Sequence, residues 1–314
     1  MGSQGVGLTL ETVTPLLLGG AEPRGRPELR PPAFRGVLRY WLRAAAGGVV
    51  GDGNLVGLHQ IERAVFGDTT SASAIALRLE PVQRGLTVGL QPILPHHADA
   101  AARRPGFQAG QHFALRLHRR PCASEQVWRV ACAIAELALT CGGIGLRSRR
   151  GYGTLRIAAS SDQTLVPTFP VSMKDWVRHV ERVAVAAVAS LRELALGLSV
   201  PVVPLPAGPS VYPCANKQGV LRIVRIDGAE TAMKAVTAFM KQVPKHPAFG
   251  GINPRQASPL WVRPIALDTE QYGLLFTVLA SRLARGADDY EAVRQFLLKN
   301  FPDGKDLRVP GWNQ

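Results

Sequence analysis

Hydrophobic and polar residues alternate in several short stretches of the chain, and each of these stretches predicts a β-strand. The alternation is strict in residues 74–80 and 112–119, and partial in residues 5–13 and 220–226. Successive side chains of a strand point to opposite faces of a sheet, so such a segment is expected to bury one face. Further strands are predicted at residues 154–158, 260–267 and 274–279.

Apolar residues at helical spacing separate these strands. Pro31 and Pro32 suit the first turn of a helix, and its apolar face is predicted to hold Phe34, Val37, Leu38, Trp41, Leu42 and Ala45. Gly47 and Gly48 are expected to end this helix. Other helices are predicted at residues 59–66, from the Ser124 cap to about 140, and at 171–196, 231–243 and 288–301, the last of which closes the chain.

The order of these elements predicts an α+β fold with two tandem ferredoxin-like (RRM-like) domains, each with an antiparallel sheet. The first half reads strand, helix, helix, strand, loop, strand, helix, glycine-rich loop, strand, which fits a sheet with helices on one face. The predicted domains are residues 1–160 and 161–314, with a linker at 162–170. Residues 84–111 are predicted to form a long irregular loop.

Composition narrows the class of protein. The chain has 314 residues, of which 46% are hydrophobic and 19% charged, so it is expected to fold rather than remain disordered. No apolar run reaches the roughly 20 residues of a membrane helix, and we expect a cytoplasmic protein without a membrane partner. The four cysteines have no CxxC spacing, so we expect buried free thiols and no metal site.

Charge is the first indication of function. The net charge is +14, and 30 of the 37 basic residues are arginine. Residues 101–157 alone hold ten arginines and two acidic residues. A localised basic field of this kind favours a polyanion, most simply nucleic acid. The alternative is the arginine-rich background of a GC-rich genome.

The segment GGIGLRSRRGYG, residues 142–153, combines backbone freedom with positive charge. Its glycines allow close approach to a ligand and positive φ angles; they are Gly142, Gly143, Gly145, Gly151 and Gly153. Arg147, Arg149 and Arg150 suit a phosphodiester backbone, and Tyr152 offers a stacking face. The segment is neither a P-loop, because GxxxxGK[ST] is missing, nor a dinucleotide-binding fingerprint, because its glycines follow a helix and precede a strand. The alternative is a flexible connection with solvated arginines.

The first helix carries a second basic group. Arg35, Arg39 and Arg43 recur every four residues and share one face. Positive charge near a helix N-terminus opposes the helix dipole, and an external anion would relieve this. A solvated basic face is the alternative.

Together, LRPPAFRGVLRYWLRA (29–44) and GGIGLRSRRGYGTLRI (142–157) resemble the RAMP superfamily of CRISPR–Cas proteins. More narrowly, they resemble the first-numbered RAMP subunit of the Cmr complex, the type III-B RNA-guided effector. The segment TPLLLGG (14–20) and the stretch from Arg255 to Leu260 fit the same pattern.

The resemblance implies a non-catalytic subunit that binds guide RNA, or the guide–target duplex, toward the 3′ end of the guide. Its implied partners are CRISPR guide RNA, target RNA and other RAMP subunits of a Cmr-type complex, with no cofactor. Arg35, Arg39, Arg43 and the loop from Gly142 to Gly153 become the RNA-contact candidates. Arg30, Arg103, Arg104 and Arg255 are weaker candidates for RNA or partner contacts. Because aromatic residues make up only 6% of the chain, backbone-led binding is favoured over base recognition.

Two alternatives remain at this point. Some RAMP proteins are metal-independent endoribonucleases that process CRISPR repeat RNA, usually with a histidine as general acid or base. His59 is a weak candidate for that role, and His96 and His97 with Asp99 could form an acid–base or metal cluster, although a solvated loop is favoured. A basic structural subunit that contacts only proteins is the third possibility.

Overall fold

A computed structural model describes residues 5–22, 24–81, 85–97, 102–161, 170–252, 255–268, 270–283 and 290–314. The predicted linker lies almost entirely outside these residues, as do Asp99 and the predicted start of the last helix. No helix of the described residues is long and apolar enough to cross a membrane.

The helices and strands follow each other in this order: β1 (Gly5–Thr12), α1 (Pro31–Val50), α2 (Leu55–Phe66), β2 (Ile75–Pro81), β3 (Val88–Pro92), β4 (Arg103–Phe107), β5 (His112–Arg119), α3 (Glu125–Cys141), β6 (Leu155–Ser160), α4 (Met173–Gly197), β7 (Val220–Arg225), α5 (Ala232–Gln242), β8 (Gly251–Ile252), β9 (Arg255–Gln256), β10 (Leu260–Ala266), β11 (Tyr272–Val278), α6 (Tyr290–Asn300) and β12 (Lys305–Leu307).

The two main sheets share one strand order. The first is β2-β5-β1-β6 and the second is β10-β11-β7-β12, with all neighbouring strands antiparallel. In each sheet the first strand of the unit lies between the third and the fourth, and the second strand is at an edge. This is the ferredoxin-like order, so the prediction of two ferredoxin-like units is confirmed.

The two sheets are buried to different extents. Alternate residues of β1, including Leu8 and Leu10, are buried beneath the helices, and the opposite face of the first sheet is open. In the second sheet both faces are buried. Ile223 and Trp261 pack into the core shared with α1, α3 and α4, whereas the neighbouring Val224 packs with α5 and α6. The second sheet therefore lies between the helices of the first domain and its own helices.

Three sequence predictions differ from the structure for identifiable reasons. Helix α1 continues through Gly47 and Gly48 to Val50. A Cβ on Gly47 would lie 2.7 Å from Cys214 Cβ, and one on Gly48 would lie 2.8 Å from Ala215 Cβ, so these glycines serve close packing rather than termination. Residues 84–111 contain the β3–β4 hairpin, whose short strands include two prolines. The last predicted helix, α6, is followed by β12, a three-residue strand too short to leave a periodic pattern.

Three of the four free cysteines are buried as expected, but Cys122 is exposed in the turn before α3. Among the described residues, no three histidine, cysteine, aspartate or glutamate side chains come together as a metal site.

Candidate nucleic-acid interface

The basic face of α1 lies at the surface beside α2. Arg39 and Arg43 share one carboxylate, because Arg39 Nε lies 2.5 Å and Arg43 Nη1 3.5 Å from Glu62 Oε1. Both side chains remain about one-third to one-half exposed, at 34% and 45%. Arg35 has no carboxylate within 4 Å among the described residues, and its Nε has no hydrogen-bond partner there. This face therefore keeps positive charge available.

The start of α1 adds to this basic surface. Arg30 occupies the N-cap position without capping the helix through its side chain, and the first turn contains no acidic residue. Arg30 is exposed and donates a hydrogen bond of 3.4 Å to the Gly20 carbonyl. The positive end of the helix dipole is thus not compensated by an acidic side chain in the first turn.

The glycines of residues 142–153 serve contacts within the protein. Gly145 has a φ of +87°, and a Cβ there would collide with the Leu17 carbonyl oxygen. Leu146 N donates to Leu17 O at 2.8 Å, and Gly153 N donates to Pro15 O at 3.0 Å. Gly142, Gly143, Gly151 and Gly153 are buried. The close approach that the sequence predicted for a ligand is used here to seat the loop against residues 14–20, the other motif of the resemblance.

Arg149 joins the loop to both domains. Its Nη1 donates to the Ser258 carbonyl, and its guanidinium carbon lies 5.2 Å from the ring centre of Tyr40 and 5.0 Å from that of Trp261. Trp261 Nε1 in turn donates to Tyr40 Oη at 2.9 Å. Tyr40 is on α1 and Trp261 is on β10, so one arginine connects the basic helix, the loop and the second sheet.

Arg150 enters the second domain more deeply. It donates to the Phe249 carbonyl and lies within 5.9 Å of the ring centres of Phe239 and Phe249. Burial, followed by the charges of Arg147 and Arg149, lowers its pKa to about 10. Arg147 is half-buried with a left-handed φ of 62°, which is uncommon outside glycine. Burial also lowers the pKa of Arg147.

Tyr152 is enclosed in the protein. Tyr152 is 0% exposed and packs into the core between the second sheet and helices α5 and α6. Its hydroxyl donates a hydrogen bond to the Pro92 carbonyl at the end of β3. Burial raises its pKa to about 12. Tyr152 therefore presents no free face to a base in this conformation, in contrast to the stacking role that the sequence suggested.

The weaker candidates surround the same loop. Arg103 is exposed on β4 and pairs in register with Pro92, the acceptor of Tyr152, while Arg104 is half-buried beside it. Arg255 is exposed on β9, between the residues whose carbonyls accept from Arg149 and Arg150. The structure thus places Arg103 and Arg255 close in the chain or in register to residues that contact the glycine-rich loop.

Two kinds of residue were missed or given little weight from the sequence. His96 and His97 lie at the tip of the β3–β4 hairpin, where Arg147 and Arg150 are close enough to lower the pKa of His96. Arg263, which is 3% exposed on β10, crosses from the second sheet to donate 2.7 Å to Leu155 O and 3.4 Å to Gly142 O. The only sequence signal for Arg263 was an arginine inside an otherwise apolar strand.

The fold and the loop define a class of protein: two ferredoxin-like domains of one strand order, with a glycine-rich segment of the first domain whose arginines contact the second. The family model of the RAMP superfamily matches residues 9–156. The match covers most of the first domain, and the resemblance drawn from residues 29–44 and 142–157 is confirmed.

Three similar proteins define the relationship further. The CRISPR system Cmr subunit Cmr1-2 of Pyrococcus furiosus is 29% identical over 177 residues, which cover 47% of this chain and 92% of that protein. The crystal structure of Cmr1 from P. furiosus (apo form) has a TM-score of 0.66 and 20% identity, covering 98% of this chain and 99% of that one. A chain in the cryo-EM structure of the type III-B Cmr-beta bound to cognate target RNA has a TM-score of 0.62 and 12% identity, covering 94% of this chain and 98% of that one. At these identities the structural likeness shows the shared fold of both domains.

Proposed function

We propose that this chain is a non-catalytic RNA-binding subunit of an RNA-guided type III-B (Cmr) effector complex. It would bind guide RNA, or the guide–target duplex, through backbone phosphates toward the 3′ end of the guide, and assemble with other RAMP subunits. The observation that carries the proposal is the arginine surface of α1 and the loop, in which Arg35 and Arg147 have no carboxylate within 4 Å among the described residues. Arginine is the side chain best suited to bidentate phosphate contacts.

The two sheets offer little for base recognition, which supports phosphate contacts. RRM-type recognition stacks bases on aromatic residues of an open sheet. The central part of the open face of the first sheet presents Gly7, Thr9, Ala114 and Arg116. The corresponding face of the second sheet is buried against the first domain. The surface arginines are therefore the better candidates for RNA contacts.

The relatives support the same assignment. Cmr1-2 is named as a subunit of a CRISPR Cmr system, and the Cmr-beta structure is described as bound to target RNA. A cytoplasmic location follows from such a role.

The test is RNA binding by the purified chain, measured by fluorescence anisotropy with repeat–spacer RNA across a salt series. The triple variant Arg35→Ala/Arg39→Ala/Arg43→Ala should lose at least about tenfold in affinity, and its log K should depend less steeply on log salt, by about 0.7 per lost phosphate contact on single strands. The matched control removes three other exposed arginines, Arg178, Arg192 and Arg308. Equal loss in the control would reduce the proposal to a net-charge effect.

Recovery of RNA with the protein from its native cells tests the CRISPR assignment. Repeat–spacer guide RNA should copurify. Bulk cellular RNA, or none, would contradict the proposal.

RNA cleavage is the competing function, and one pair of residues makes it testable. His59 is exposed and its Nε2 lies 3.5 Å from Asp68 Oδ2, so a base and a carboxylate are adjacent at the surface. Cleavage of repeat RNA in EDTA that is abolished by His59→Ala or His97→Ala would favour an endoribonuclease. Tight binding without cleavage favours the binding subunit.

A further inference from the structure

The tip of the β3–β4 hairpin places two adjacent histidines against the glycine-rich loop. His97 N donates to Leu94 O at 3.0 Å, which closes the turn, and the ring centres of His96 and His97 are 4.2 Å apart. His96 is half-buried and His97 is exposed. Ile93 and Leu94 pack on the core of the second domain, so the tip is held in place by apolar contacts.

Two buried nitrogens, one at this tip and one on the glycine-rich loop, lack hydrogen-bond partners among the described residues. They are His96 Nδ1 and Arg150 Nη1. Most buried polar groups in folded proteins are paired with protein or water. A group that accepts several hydrogen bonds would satisfy the guanidinium nitrogen, and also the ring nitrogen when the imidazole is protonated.

The charged groups around this point all have the same sign. The pKa of His96 is lowered by burial, and then by His97, Arg147 and Arg150. The other titratable group beside Arg147 is Tyr152, a neutral phenol whose hydroxyl donates a hydrogen bond to the Pro92 carbonyl. No carboxylate of the described residues lies within 4 Å of any of the four basic side chains. Positive charges in such a partly buried cluster repel one another unless an anion binds among them.

We propose that His96, His97, Arg147 and Arg150 form a phosphate-binding site in which His96 takes up a proton when the phosphate binds. The source of the phosphate, a phosphodiester of bound RNA, rests on the proposed function. Phosphate fits because it offers several strong acceptor oxygens to arginine and imidazolium donors. His97 is the exposed member, His96 and Arg147 are half-buried, and Arg150 is the most deeply placed.

Proton uptake gives the site a distinct pH dependence. A bound anion raises the pKa of His96 above its value in the free protein, so binding strengthens as the pH falls between the two values. A rise of about one pKa unit corresponds to about tenfold in affinity. We therefore expect RNA affinity to rise as the pH is lowered from 8 at constant ionic strength, and to approach a tenfold gain only below the pKa of His96 in the free protein. His96→Asn should flatten this dependence, whereas His59→Asn should retain it.

Imidazole NMR of the full chain separates this inference from the proposed function. The pKa of His96 should rise on saturation with an RNA oligonucleotide, and rise less in Arg150→Gln that melts at the wild-type temperature. If RNA binds without changing that pKa, the phosphate site is refuted and the proposed function stands. If RNA does not bind but inorganic phosphate raises the pKa, the site stands with free phosphate as its ligand, and the proposed function fails. A pKa that neither ligand changes would refute the site.

Discussion

The guanidinium carbon of Arg149 lies 5.0 Å from the centre of the Trp261 ring, which places a residue of the glycine-rich loop against the second sheet. The loop is part of the first domain, which matches the RAMP superfamily, and Trp261 belongs to β10. The same guanidinium faces Tyr40 on the basic helix. The helix that carries the RNA-binding candidates of α1 is thus one of the elements at the contact between the two domains.

Replacing Arg149 should destabilise the protein. Arg149→Ala removes two cation–π contacts and a hydrogen bond to Ser258 O, for which we expect a loss of about 2 kcal/mol in the free energy of unfolding. Urea denaturation measures this loss. Arg178→Ala is the control, because Arg178 is exposed on α4, and it should change the free energy by less than about 0.5 kcal/mol. Equal stability of the two variants would show that Arg149 does not hold the domains together.

The case of Arg149 shows what sequence could and could not predict about the candidate site. The composition of residues 142–153 indicated an unusual loop, and its position after α3 and before β6 is as predicted. Which arginines face solvent depends on where the second domain packs, and that contact joins residues more than 100 positions apart. Local patterns carry no information on such contacts, and therefore Tyr152 was expected at the surface although it is buried.

Glu62 should limit RNA binding. Its buried carboxylate pairs with both Arg39 and Arg43, so part of their positive charge is compensated within the protein. Glu62→Gln keeps the shape and removes the charge. We expect RNA affinity to rise several-fold at low salt and the free energy of unfolding to fall by about 1–3 kcal/mol.

Anisotropy and urea denaturation on the same preparation check both effects. Glu80→Gln is the control, since Glu80 is half-exposed on β2 and pairs only at 3.4 Å with Arg116. Unchanged RNA affinity in Glu62→Gln would mean that Arg39 and Arg43 do not contact RNA.

His179 should make the protein less stable in acid. It lies on α4, accepts or donates a 3.0 Å hydrogen bond with Thr140 Oγ1, and has a pKa lowered to about 4 by burial, Arg182 and Arg263. The unfolded chain has the ordinary histidine pKa near 6.5. The unfolded state therefore binds more protons between these two values, and the free energy of unfolding falls as the pH drops through this window.

The expected loss from His179 is about 3 kcal/mol between pH 7 and pH 4. Urea denaturation at several pH values measures it, and His179→Gln should remove most of this part of the pH dependence. The exposed His59 serves as the control, since His59→Gln should leave the dependence in place. A wild-type protein with constant stability over this range would contradict the assignment.

The order of elements was more predictable than their ends. Alternation in β2 and β5 and the helical spacing in α1 each reflect one buried face, so those elements could be identified locally. The β3–β4 hairpin and β12 could not, because five- and three-residue strands with prolines or charges leave no periodic signal. The sequence also could not show what covers the two faces of the second sheet. A strand such as β11 is apolar on both faces, and this pattern does not identify the elements that pack on each face.

Two glycine-to-alanine substitutions should have opposite effects. Gly153 has a φ of +61°, and a Cβ there would collide with the Ile144 carbonyl. This carbonyl belongs to the backbone, so it cannot move aside as a flexible side chain could. Gly36 is exposed on α1, and a Cβ there meets no atom within 4 Å. Gly153→Ala should therefore lower the free energy of unfolding by more than about 2 kcal/mol, whereas Gly36→Ala should raise it by about 0.5–1 kcal/mol through helix propensity.

Thermal and urea denaturation of both variants check this pair of effects. RNA binding adds a second readout, because Gly153 seats the loop that carries Arg147. Gly36 lies between the candidates Arg35 and Arg39, and a Cβ there would touch neither the loop nor the second domain. We expect Gly153→Ala to weaken RNA binding at temperatures where the protein is still folded. A stable Gly153→Ala variant with normal RNA affinity would show that the seated loop is not required for binding.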